Sequence, residues 1–312
     1  MKKIFLKFFL LILIIQAPAI ASDDVYKIIL KINNEVVTNY DVNKEGNYLK
    51  ALNRKFQEID QKEITKIAQN SLIKEKIKKK EIEKYYEVNY ETNAVEPIID
   101  NFIQKLNLTS LEDFSEYLKK FNFTLNELRQ KLIIEQTWNK LIFDMYNDKI
   151  RINENEINST LNKIEINKSN QKSYNLSEII FIEDSKENYE KKYKDIILSI
   201  KKIGFEDTAS IYSISETSKN GGLIGWINQN QLSKIIFDQL LTLELTQVSK
   251  PILTPGGSII IKLNEIRDVP FAEFNKEKEL SKIKLAEKNR QLNEFSIIHY
   301  QKISKKAYIE SF

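Results

Sequence analysis

Four segments decide how this chain is read: FEDTASIYS (205–213), NGGLIGW (220–226), VSKPILTPGG (248–257) and IIIKLNEIR (259–267). The first has helical spacing. The last is a β-branched run that reads as a strand closing a sheet. Between them lie Gly221, Gly222, Gly225, Gly256 and Gly257, five of the seven glycines in the chain. Glycine at this density marks backbone that needs positive φ or a close approach. The apolar run Tyr174–Ile182 reads as a strand, Tyr189–Ile203 as a helix, and Gly204 punctuates before the short helix Phe205–Tyr212. Helices and strands are therefore mixed within about one domain length.

Outward from that module the chain changes character. It has 312 residues, 42% of them hydrophobic and 29% charged. Two domains with real cores are expected, and most helices should have one solvated face. Met1–Ala21 reads as a secretory signal: Lys2 and Lys3 lead, an apolar run follows, and Ala19-Ile20-Ala21 supplies small residues for cleavage. The run is shorter than the ~20 residues that span a bilayer. Cleavage would leave 45 basic against 44 acidic residues, so the mature chain has no global field for nucleic acid. No later segment is apolar enough to insert in a membrane. Cysteine is absent, which removes thiolate catalysis and thiolate metal sites.

Val25–Val37 alternates and is β-branched around Asn33-Asn34, a hairpin signal. Asp41 then opens a long helical region. Thr109 with Glu112, Thr124 with Glu127, and Asn153 with Glu156 each pair a capping oxygen with an acid three residues on. After Thr124, the residues Leu128, Leu132, Trp138, Leu141, Ile142 and Met145 form an apolar stripe that reads as packing core. Lys163–Ser173 reads as a linker. Phe274–Ile298 is helical and heavily charged, and AYIESF at the end reads as a strand.

The ordered set Asn220-Gly221-Gly222, Gly225-Trp226, Val248–Pro251 and Gly257 followed by Ile259–Lys262 resembles the parvulin family of peptidyl-prolyl isomerases, over Ser173–Arg267. VYKIILKINNEVVTNYDV and the layout around the module resemble SurA-like periplasmic chaperones. The resemblance implies an α+β fold. A mainly helical N-terminal domain would be completed by the C-terminal helix, beside one parvulin-like α+β domain. The implied division is a signal at 1–21, a helical chaperone domain at 22–168, a parvulin-like domain at 173–268, and a C-terminal helix and strand at 270–312 that return to the N-terminal helices.

Rotation about a peptide bond faces a barrier of ~18–20 kcal/mol. An isomerase must hold the proline ring in an apolar cleft and stabilise a twisted amide. By resemblance, Ile224, Leu232 and Phe237 fall where the family builds that cleft, and Trp226 is a further surface for a client. The polar positions depart from the family. Its first-strand histidine maps to Glu178 and its last-strand histidine to Ile259, while Ser215 falls where the family carries Cys or Asp. An ionised carboxylate in a dry cleft must be solvated, paired or protonated, and Ile259 cannot hydrogen-bond. The single histidine, His299, lies outside the segment and reads as a surface or packing residue. Gly221-Gly222 opens no phosphate loop, and no metal or cofactor is implied.

The expected function is a periplasmic chaperone that binds unfolded outer-membrane proteins, or extended aromatic- or proline-containing peptides, with little or no isomerase activity. Two alternatives stand beside it: an active peptidyl-prolyl isomerase, and a docking or assembly module.

Overall fold

The computed structural model describes residues 26–166, 172–183, 185–268 and 275–312. The signal reading of Met1–Ala21 and the middle of the proposed linker fall outside these residues.

The chain opens with a hairpin, β1 (Ile28–Ile32) and β2 (Glu35–Thr38). Asn33 takes φ 54° at its tip, a conformation Asn tolerates better than most residues. Helices α1 (Asn39–Leu52), α2 (Gln61–Ile82), α3 (Glu96–Lys105), α4 (Leu111–Lys119), α5 (Leu125–Tyr146) and α6 (Glu154–Ile166) follow. Their starts obey the capping chemistry, with small shifts from the sequence reading. Thr38, not Asp41, is the N-cap of α1; Asp41 is the acid that closes the capping box. Ser110, not Thr109, caps α4, and the Thr109 hydroxyl instead holds Asp113. Thr124 and Glu127 form the expected box, and Asn153 accepts from the Glu156 amide.

The second half contains β3 (Lys172–Phe181), α7 (Lys186–Ile203), α8 (Phe205–Tyr212), β4 (Leu223–Asn228), α9 (Lys234–Leu240), β5 (Ile252–Thr254) and β6 (Gly257–Asp268). These strands form one antiparallel sheet in the order β4-β3-β6-β5. The supposed linker is shorter than expected, because α6 runs to Ile166 and β3 begins at Lys172. Period-two alternation splits the sheet. Tyr174, Leu176 and Ile180 share one face with Ile259, Ile261 and Leu263. Ile179, Phe181 and Ile260 share the other face, with Ile196, Phe205 and Ala209 of α7 and α8.

Helix α10 (Lys276–Ser304) and strand β7 (Ile309–Ser311) then return to the first half. β7 pairs antiparallel with β1, giving the order β2-β1-β7. The Trp138 indole on α5 donates to Ser296 Oγ on α10 at 2.9 Å. Around it Ile82, Ile134, Leu141 and Ile142 are packed by Leu292 and Phe295 of α10. The stripe on α5 is thus core, with Met145 at its partly buried margin. The architecture is α+β: a helical unit made from both ends of the chain, and a sheet-containing unit between them.

Candidate functional site

The site starts from the approach of a glycine loop to a strand. Gly222 has φ 78°, and a Cβ placed there would lie 2.3 Å from the Glu178 carbonyl oxygen. Only glycine allows the contact. It also lets the Glu178 amide donate to the Gly222 carbonyl at 2.8 Å. The loop 213–218 is thereby brought over β3.

Glu178 lies between Leu176 and Ile180, and so faces the apolar side of the sheet opposite Ile261. Its side chain is buried. Ser215 Oγ donates to Glu178 Oε1 at 2.6 Å, and Thr217 Oγ1 donates to the same oxygen at 3.0 Å. Burial pushes the Glu178 carboxyl above the usual carboxylate range, and the two hydroxyls pull it partly back. Among the described residues no cation meets this carboxyl. Ser213 Oγ accepts from the Ile180 amide at 3.0 Å, which fixes the same loop to β3 one turn of the pleat further on.

Two of the three residues mapped to polar positions, Glu178 and Ser215, are therefore in contact. The third, Ile259, pairs with Ile180 on the neighbouring strand and belongs to the apolar cluster of that face. Leu232 and Phe237 pack on this cluster together with Ile214, Ile227 and Ile236, and the Phe237 ring meets Tyr174 edge-on at 6.2 Å. Ile224 is placed differently. It is the extra residue where the β3–β4 register shifts between Leu176 and Ser177, and its side chain is exposed. Trp226 pairs with Asn175, on the opposite side of the sheet, and its ring is covered by the Arg267 guanidinium 4.0 Å from the centroid.

Three further contributors were not identified from the sequence. Thr217 shares the carboxyl with Ser215, and the i, i+2 hydroxyl spacing was the available signal. Ile297 of α10 is a buried member of the cleft-face cluster, and its δ-carbon lies 3.6 Å from the position of a Cβ on Gly256. Nothing local to the charged helix 276–304 marks it. The third is a row on α2. Asn70 Nδ2 donates to the Ile211 carbonyl at 3.2 Å, Lys74 Nζ to the Ser213 carbonyl at 2.7 Å and Ser218 Oγ at 3.1 Å, and Lys78 pairs with Glu216. The loop that carries Ser215 and Thr217 is thus held from outside by the helical unit, and the cleft face is met by α10.

His299 is buried but stands elsewhere. Its Nδ1 shares a 2.8 Å hydrogen bond with the Tyr146 hydroxyl, and its ring lies 5.6 Å from that of Trp138. It supplies no nitrogen to the Glu178 cluster. Among the described residues no group of three or more His, Asp or Glu side chains could hold a metal, and no helix is long and apolar enough to cross a membrane.

Residues 174–265 match the family model of the PPIC-type PPIase domain, the rotamase domain. The sheet, its glycine loop and its cleft-face cluster are a parvulin-type domain. Part of the chain is also similar in sequence to SurA chaperones. It is 23% identical over 172 residues to the Chaperone SurA of Hahella chejuensis, covering 53% of this chain and 40% of that one. With the Chaperone SurA of Pseudomonas savastanoi pv. phaseolicola it is 26% identical over 182 residues, covering 56% and 42%. The matches thus span less than half the length of these relatives. Among solved structures, one of two related SurA-like chaperones of Campylobacter jejuni covers 91% of this chain and 98% of its own, at 15% identity and a TM-score of 0.36. A PpiC-type isomerase domain covers 31% of this chain and 93% of its own, at 27% identity and a TM-score of 0.28.

Proposed function

We propose that this protein is a periplasmic chaperone that holds unfolded outer-membrane proteins, and that its parvulin-type domain grips extended peptides with little or no isomerase activity. The observation that carries the reading is the composition of the cleft floor. A buried carboxyl tied to two hydroxyls stands where the resemblance places one imidazole, and Ile259 stands where it places the other. Stabilising a twisted amide calls for donors aimed at developing charge. Here the two hydroxyl protons are spent on Glu178, and the neighbouring strand contributes only carbon. The apolar walls Leu232 and Phe237 remain.

On this reading Leu232 and Phe237 bind client side chains, Glu178 and Ser215 organise the floor, and Ile224 and Trp226 lie at the rim or on the far face. The domain division follows the same reading: a helical domain from 22–168 completed by 270–312, with the parvulin domain at 173–268 inserted. The relatives named Chaperone SurA support a client-binding role. Binding a disordered client costs ordering entropy, which favours a weak and reversible grip.

The test is a pair of assays on one preparation. Suppression of aggregation of an unfolded outer-membrane barrel, together with no acceleration of cis/trans exchange in a short proline peptide, is the expected result. Isomerisation without suppression sinks the proposal.

One observation favours a second reading. Burial holds Glu178 above the usual carboxylate range, and a protonated Glu178 would be a donor at the cleft floor. Residual isomerase activity that disappears in Glu178→Gln as well as at high pH would identify that catalyst.

A further inference from the structure

Two cavities in the helical unit have opposite charge economies. The first, about 360 Å³, lies beside β2 and between α2 and α5. Its lysines are matched by acids: Lys44 pairs with Glu127, Lys131 with Glu45 and Glu75, and Lys76 with Glu35. The second, about 470 Å³, lies where α2, the end of α5 and the end of α10 meet the hairpin tip at Asn33. That volume is within the range of about 300–1,000 Å³ typical of small-molecule sites. Five lysines line it (Lys80, Lys84, Lys149, Lys302 and Lys306) against one acid, Glu81.

Glu81 is shared between Lys84 and His299, one carboxylate oxygen facing each. Lys149 sits over the Tyr146 ring, 4.7 Å from its centroid. Among the described residues Lys80, Lys302 and Lys306 have no acidic partner. The excess is local, because the whole chain carries only +4. Three chain segments, 80–84, 149 and 302–306, contribute these exposed ammonium groups and bring them to the rim of one concavity.

A second feature points to a ligand. The His299 ring is buried and lines the cavity; Glu81 Oε1 faces its Nε2 at 3.5 Å, and no hydrogen bond closes between them. A buried polar nitrogen left open normally has a partner. Met145, Ile303 and Ala307 supply an apolar part of the wall, beside Asn33, Tyr85 and Tyr146. Lysine serves phosphate as a point charge, and a dianion compensates a surplus of this size better than a carboxylate does.

We propose that this cavity binds the phosphate head of an anionic amphiphile, with the head among Lys80, Lys302 and Lys306 and the apolar stem against Met145 and Ile303. The site is separate from the parvulin cleft, and its test does not depend on client binding.

Isothermal titration of the purified protein with octyl phosphate at low ionic strength reads the proposal directly. One saturable site is expected, and the double variant Lys302→Glu/Lys306→Glu should weaken it roughly tenfold or more. The milder Lys302→Gln/Lys306→Gln should weaken it by a smaller factor, with circular dichroism confirming that both variants fold. The reversal Lys62→Glu/Lys105→Glu, at exposed lysines outside the cavity, should leave binding unchanged. Inorganic phosphate and octyl glucoside separate head from stem. Octyl phosphate binding well above both confirms the amphiphile. Inorganic phosphate binding as tightly, with the same lysine dependence, overturns the lipid source in favour of free phosphate. Octyl glucoside binding as tightly, no saturation, or equal loss in the control reversal overturns the anion site itself.

Discussion

In the helical unit the ammonium of the partly buried Lys131 lies 2.5 Å from Glu45, which is buried, and also pairs with Glu75. In the parvulin-type unit the buried carboxyl of Glu178 meets the hydroxyls of Ser215 and Thr217, with no cation among the described residues. Burial opposes the charge in both places. For Lys131 that cost is outweighed by the two glutamates, and the ammonium is held above its ordinary range. For Glu178 the two hydroxyls do not outweigh it, and the carboxyl is held above its ordinary range. The first arrangement fastens helices. The second keeps an acid short of compensation, which is the condition in which a group at a cleft responds to pH or to a ligand.

The contrast can be broken most severely at Lys131. Lys131→Met leaves Glu45 and Glu75 facing each other without their shared cation, and should cost about 3–5 kcal/mol in urea unfolding. A loss below about 1 kcal/mol would mean that the seam does not fasten the unit. Next comes Ile297→Ala, which opens a hole between α10 and the cleft face. A loss of about 2–4 kcal/mol is expected, with faster hydrogen exchange in β5 and the turn 254–257. If exchange there is unchanged, α10 does not cover that face in solution.

Gly222→Ala tests the other side. Its new methyl would collide with the Glu178 carbonyl at a positive φ, and roughly 1–3 kcal/mol should be lost. The smallest effect, and the sharpest, belongs to Glu178→Gln. A carboxyl whose folded pKa is raised contributes stability that is fully present below its unfolded value, and that stability is lost as pH rises through the folded one. The wild-type protein should therefore lose stability as pH rises from the ordinary carboxylate value of about 4.3, while the Gln variant should not. Denaturant midpoints across pH 4 to 8 for the two proteins decide it. Parallel profiles would show that Glu178 is charged and compensated, like the helical seam.

Much of this could be read from the residues because the signals are local. The hairpin at Asn33-Asn34, the box of Thr124 and Glu127, and the helix Phe205–Tyr212 depend on neighbours within a few positions. Glu178 and Ser215 were singled out by resemblance alone, and their contact is a finding of the structure. What escaped was long-range. Ile297 sits in a helix whose charge pattern says solvent, and its burial depends on where another unit docks. Lys74 and Lys78 look like ordinary surface lysines until α8 and the loop after it arrive. Ile224 was displaced by a bulge, a one-residue irregularity that shifts a side chain without altering the apolar pattern.

The pairing of β1 with β7 also sets an order of events. Asn33 and Tyr308, 275 residues apart, are bonded through backbone and side chain. The sheet-containing unit is a continuous segment and can close as soon as it is synthesised, whereas the helical unit lacks a strand and its longest helix until the final residues arrive. Contacts of such span form slowly. During synthesis the greasy interior around Trp138 therefore stays open until residues 292–296 have been made, and a chain cut short before residue 309 would leave its first strand without one neighbour.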